Sequence, residues 1–122
     1  MVNIFFFYNH LKLIHMSKKY LVKAKYSASG IGGVMKMGGT SRRQAIEKML
    51  NDLGGKLESF YYTLNPDEAY LICELPDEIT GAAVSMTVDS TGMADISITS
   101  LLTPEDIDKA SHIAVNYRAP GS

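Results

Sequence analysis

From residue 20 the run YLVKAKY alternates, placing Tyr20, Val22, Ala24 and Tyr26 on one face and Leu21, Lys23 and Lys25 on the other. That is the period of a strand with one buried side. The stretch SASGIGGVMKMGGT that follows is interrupted by Gly30, Gly32, Gly33, Gly38 and Gly39. Its apolar residues Ile31, Val34 and Met35 predict one short helical turn and otherwise irregular chain. Ser41 with Gln44 matches a capping box, Ile46, Met49, Leu50 and Leu53 follow at helical spacing, and Gly54 supplies a stop. The pattern predicts an amphipathic helix there.

Residues 56–64, KLESFYYTL, and 69–75, AYLICEL, are rich in aromatic and branched side chains and read as strands. Asn65, Pro66, Asp67 and Glu68 between them are turn formers, which predicts a hairpin. After Pro76, Asp77 can cap a helix whose apolar stripe is Ile79, Ala82, Ala83 and Met86, with Gly92 closing that region. Residues 95–101 alternate again, with Ile96 and Ile98 facing inward. Thr103, Pro104, Glu105 and Asp106 then supply a cap, an N1 proline and an acidic first turn for a last helix, with Ile107, Ala110 and Ala114 as its apolar contacts.

The order is β-α-β-β-α-β plus a C-terminal helix, an α+β, ferredoxin-like arrangement with an antiparallel sheet. Both main helices should cover one face of that sheet. The other face carries apolar and aromatic side chains from the second and third strands, which predicts a homodimer paired face to face, a dimeric α+β barrel. Lys23 and Lys25 oppose such pairing unless Glu58 or Glu74 neutralises them.

Composition narrows the function more than the fold. With 122 residues, 46% hydrophobic and 20% charged, the chain suits one water-soluble domain. A net charge of −1 lacks the positive excess that draws proteins to nucleic acid. The lone Cys73 excludes an internal disulfide and a cysteine zinc cage, compatible with a reducing, cytoplasmic setting. Residues 1–15, with Phe5, Phe6 and Phe7 clustered, differ from the rest. They read as an extension ahead of Met16, or as a short membrane or partner-binding segment, and are too short in apolar run to span a bilayer. The domain then covers residues 16–117, and 118–122 form a flexible tail.

YLVKAKY, the Gly54-Gly55 pair before KLESFYYTL, LICELPD, SLLTPEDIDKA and the late YRAPG together resemble the GYD domain family, over nearly everything from Lys18 to Gly121. The resemblance implies a ferredoxin-like fold of the dimeric α+β barrel kind and brings no agreed substrate or catalytic residues. The family's Gly, aromatic and Asp motif at the hairpin is replaced by Asn65-Pro66-Asp67-Glu68. Asn65 tolerates a left-handed backbone, and Glu68 keeps a carboxylate where the motif has Asp.

The candidate chemistry is sparse. Gly33-x4-Gly38 is followed by Gly39 and Thr40 where a phosphate loop needs Lys, and Met35 stands where a dinucleotide fingerprint needs its third glycine. Arg42 and Arg43 open a helix whose dipole repels cations, so an anionic ligand, an acid from a partner subunit or plain solvation must answer them. Tyr26, Tyr61, Tyr62 and Tyr70 sit on or beside strands, where they serve packing or orient an aromatic ligand. His112 stands alone on the last helix, Cys73 lies in a core strand, and Glu74, Asp77 and Glu78 are explained by capping and solvation. No cofactor or metal is called for. The pattern supports a homodimer that binds a small aromatic or anionic molecule, or serves a regulatory or stress-related role, through Tyr26, Arg42, Arg43, Tyr61 and Tyr70. A cofactor-independent oxygenase or isomerase would need a closed cavity reached by the tyrosines, and an interaction module would fill the same space with large side chains.

Overall fold

The computed structural model describes residues 18–65 and 67–122, so the segment set apart at residues 1–15 lies outside the described residues. The elements are β1 (Lys18–Tyr26), α1 (Ala28–Met37), α2 (Gly39–Asp52), β2 (Lys56–Tyr62), β3 (Glu68–Leu75), α3 (Glu78–Ser90), β4 (Ala94–Leu101) and α4 (Pro104–Ser111). The strands form one antiparallel sheet in the order β2-β3-β1-β4, the ferredoxin-like arrangement read from the sequence.

Alternation on β1 determines what the sheet buries. Tyr20, Val22 and Ala24 lie opposite Cys73, Leu71 and Ala69 of β3 and opposite Ser100, Ile98 and Ile96 of β4. All but Ser100, Ile98 and Ile96 of these are buried, and Leu50 of α2 closes over them at 2% exposure. On β2 the register shifts between Leu57 and Ser59, so Leu57, Phe60 and Tyr62 pair with Cys73, Leu71 and Ala69 on the inner side. A bulge of this kind turns side chains that simple alternation would put outside.

Three expectations change. The glycine-rich stretch forms a ten-residue helix, α1, because Ser27 caps it by accepting from the Gly30 amide at 3.1 Å, and only Gly38, at φ 91°, breaks it from α2. Gly38, not Ser41, is the N-cap of α2, so the Ser41–Gln44 capping box does not form. On α3, capped by Asp77 as expected, the inward stripe is Gly81, Val84, Ser85 and Val88, while Ile79 and Met86 are 82% and 73% exposed. Both stripes have helical spacing. Gly81 faces the sheet, where a Cβ would stand in ordinary contact with the methyl carbons of Leu75 and Ile98 at 3.6 and 3.9 Å, so the position does not itself demand glycine.

The last helix also departs from expectation. Thr103 and Asp106 make the predicted cap as a full capping box, yet α4 buries no residue, and Ile107 and Ala110 are exposed, as is Ala114 beyond it. At the hairpin Asn65 is not left-handed, since no described non-glycine residue has positive φ. The turn is held instead by the Thr63 hydroxyl, which donates to the Asn65 carbonyl at 2.9 Å, and by the Glu68 amide donating to the same carbonyl at 3.0 Å.

The outer sheet face is mixed rather than apolar. Tyr61 lies opposite Tyr70 there, beside Ile72 and Leu21, but Lys19 meets Glu58 at 3.0 Å and Lys23 meets Glu68 at 3.6 Å while standing over the Tyr70 ring. Glu68, rather than Glu58 or Glu74, is therefore the residue that neutralises Lys23.

Candidate functional site

Between the sheet and its helices lies a small apolar cavity of about 40 Å³, lined by residues that include Tyr26, Ile46, Met49, Phe60, Val88 and Ile96, with Arg42. A larger cleft of about 340 Å³ opens between α1 and α2. Ser29, Gly30, Gly33, Val34 and Met37 form its α1 side, Ser41, Arg42 and Ala45 its α2 side, and Tyr26 and Met93 complete it. Tyr26 and Arg42 line both spaces and so form their common wall.

Local chemistry explains why this cleft exists. Tyr26 ends β1 with its amide donating to the Asp67 carbonyl, and the Ser27 amide and hydroxyl both donate to the Met93 carbonyl, at 2.9 and 3.2 Å. These bonds fix the start of α1 beside β4. Gly30 sits so close to Met93 that a Cβ there would run into the carbonyl oxygen, which makes glycine necessary at this point. Gly33, one turn on, faces the cleft with nothing within 4 Å of where a Cβ would stand. The helix is thus pinned at one end and thin along its inner side, and the space beside it remains open.

Arg42 carries the unusual electrostatics. Its Nε is closed off from solvent and makes no hydrogen bond among the described residues. Lys18, Lys19, Lys23, Arg43 and Lys48 each have an acidic partner, and the other lysines among the described residues, Lys25, Lys36, Lys56 and Lys109, are exposed. Arg42 is half-buried with no acid lining either space beside it. A guanidinium in that position is undercompensated. Nearby, Tyr62 packs edge-on against Phe60 and its hydroxyl reaches the Gly39 carbonyl at 3.4 Å. Burial raises the Tyr62 phenol above its ordinary value, Tyr26 adds to this, and Arg42 opposes it.

The sequence candidates therefore separate. Tyr26 and Arg42 come together at the wall, with Tyr62 beside them. Arg43, its neighbour in sequence, points away and meets Glu47 at 3.8 Å. Tyr61 and Tyr70 lie on the outer sheet face, on the other side of the sheet. Sequence reading missed the contribution of Gly30 and Gly33, whose signal was their spacing of one helical turn within a segment read as irregular. It also gave no role to Tyr20 beyond packing, although its buried hydroxyl is unbonded among the described residues and its phenol is raised, first by burial and then by Glu78, Asp77 and Cys73. Cys73 is buried, and desolvation pushes its thiol up to about 11.

Two other hollows are less informative. The groove of about 480 Å³ between α2 and α3 has apolar walls at Met49, Leu53 and Val84, but its charged groups, Lys48 and Asp52, satisfy each other at 2.9 Å. A hollow of about 330 Å³ beside Tyr20, Glu78, Ser85 and Ser100 has Glu78 already paired with Lys18. Among the described residues no three His, Cys, Asp or Glu side chains are grouped to hold a metal ion, and no helix is long and apolar enough to cross a membrane.

A four-stranded antiparallel sheet, helices on one face and a cleft opening beside the inner layer define an α+β protein of ferredoxin-like fold. The GYD domain family matches residues 20–111, most of the chain, and the protein belongs to that family. The YRAPG segment that contributed to the resemblance lies beyond the matched region. No curated protein matches the sequence.

Proposed function

We propose that this GYD-domain protein binds a small organic molecule in the α1/α2 cleft and acts as a homodimer. The observation that carries the binding role is the shared wall: one tyrosine and one arginine stand between a small apolar cavity and a cleft of about 340 Å³. That volume lies in the range of small-molecule sites, about 300–1,000 Å³, and its mostly apolar lining with a few polar groups is their usual composition. A binding role accounts for the site better than catalysis does. Tyr26 is the only one of the four sequence-selected tyrosines on its wall, and among the described residues no acid, histidine or cysteine lines the cleft to act as base or nucleophile.

The homodimer rests on a different region. Tyr61, Tyr70, Ile72 and Leu21 share the outer sheet face, and a symmetric partner would cover them while leaving the cleft on the opposite side free. The paired lysines on that face reduce the electrostatic opposition to contact.

Gly33→Leu tests the binding role, because its side chain enters open space in the cleft. The purified protein is expected to retain a small molecule in native mass spectrometry, or to bind an apolar fluorescent probe, and the variant to lose either signal with its fold intact. Equal signals from both proteins would remove the cleft as the site. A monomer at micromolar concentration in sedimentation would remove the dimer.

A further inference from the structure

We infer that the ligand of this cleft is an organic monocarboxylate with an apolar body, its carboxylate held by Arg42; the inference rests on the small-molecule reading above. Among the described basic residues, Arg42 alone is both partly buried and without an acidic partner, and its Nε has neither water access nor an acceptor. An enclosed N–H without an acceptor costs stability, and the cost rises when the group is charged. A carboxylate in the cleft supplies the counter-charge that Arg42 lacks, and its two oxygens match the planar guanidinium fork.

The charge count selects among anions. Neither the cavity nor the cleft has a second lysine or arginine on its wall, so the site balances a single negative charge. A phosphate dianion would be left with excess charge beside Val34, Met37 and Met93. A carboxylate leaves none. The neutral donors at hand are the hydroxyls of Ser29, Ser41 and Tyr26, which can complete the oxygen contacts without adding charge. Methionine at positions 37 and 93 gives the apolar part a deformable lining, which suits a set of acids of similar size better than one rigid shape.

The experiment compares octanoate with 1-octanol, which share a chain length and differ in charge, on the full chain by calorimetry, with inorganic phosphate as a third probe. Octanoate is expected to bind at least tenfold more tightly than octanol. Arg42→Gln should bring octanoate down to the level of octanol and leave octanol unchanged, and Arg42→Lys, which retains the charge but loses the fork, should fall between. Circular dichroism of each variant checks that it folds. Equal binding of acid and alcohol to the wild-type protein, or an undiminished preference in Arg42→Gln, overturns the carboxylate while octanol binding lost in Gly33→Leu keeps the cleft. Phosphate binding as tight as octanoate also overturns it. If neither organic probe binds, and Gly33→Leu changes nothing, the small-molecule reading falls and this inference with it.

Discussion

The two crossovers of the fold solve the same problem differently. Between β3 and β4 a single helix, α3, is capped by Asp77, whose carboxylate accepts from the Thr80 amide at 2.8 Å, and lies close to the sheet at Gly81. Between β1 and β2 the chain uses two helices, and the second starts at Gly38 with no side-chain cap and no acid in its first turn. The single helix leaves a hollow of about 330 Å³ beside Tyr20 and Gly81, whose charged group Glu78 is paired with Lys18. The pair leaves a cleft of about 340 Å³ between its helices, and Arg42 stands half-buried on its wall with no acidic partner among the described residues. The paired crossover thus holds both the space and the unpaired charge on which the proposed binding role rests.

The largest effect that sharpens this contrast concerns the helix faces. Leu50→Ala on α2 should cost about 2–5 kcal/mol, because it leaves a cavity in the shared core, whereas Met86→Ala on the exposed side of α3 should stay within about 0.5 kcal/mol. Urea unfolding midpoints measure both. Similar losses would mean that the outer side of α3 is covered by something in solution.

Next in size are the two glycines of α1. Gly30→Ala forces a methyl against the Met93 carbonyl and should destabilise by about 1–3 kcal/mol, with α1 displaced from β4. Gly33→Ala meets nothing and should gain about 0.5–1 kcal/mol from helix propensity. A loss at both positions in thermal unfolding would refute the asymmetric pinning of α1.

Capping gives a smaller difference. Asp77→Ala should cost about 1 kcal/mol, while Ser41→Ala, inside α2 rather than at its cap, should change stability by a few tenths at most. Equal losses in chemical unfolding would show that α2 starts where the sequence pattern places it.

A last effect is on pH dependence. The folded protein holds the Cys73 proton more tightly than the unfolded chain does, with a folded value of about 11 against an ordinary value of 9.0. Its contribution to stability is therefore complete below about pH 9 and is lost as pH rises through 11. The unfolding midpoint should fall between those values more steeply for the wild type than for Cys73→Ala. At pH 8 the native thiol should resist a thiol reagent that labels the denatured chain at once.

Much of this molecule follows from local pattern. Alternation in YLVKAKY places Tyr20, Val22, Ala24 and Tyr26 inward, and Asp77 and Thr103 cap helices where their side chains can reach nearby amides. These signals act within a few residues, so they survive without knowledge of the rest of the fold. The hairpin was legible for the same reason, although its Asn65 takes a different backbone from the one a left-handed turn requires.

Long-range packing settles the choices between equivalent patterns. On α3 the Ile79 stripe and the Gly81 stripe both fit a helix, and the docked helix turns the second toward Leu75 and Ile98 despite its lower hydrophobicity. Glycines in α1 disfavour a helix by local propensity, yet the Met93 carbonyl leaves room for no larger residue at position 30. Arg42 and Arg43 are indistinguishable as neighbours in sequence. Successive residues on a helix point about 100° apart, and the docking of α2 turned one inward to the cleft and the other out to Glu47. Local chemistry thus determined which elements form, and packing, which depends on contacts between residues far apart in the chain, determined which of their faces became the core and which the site.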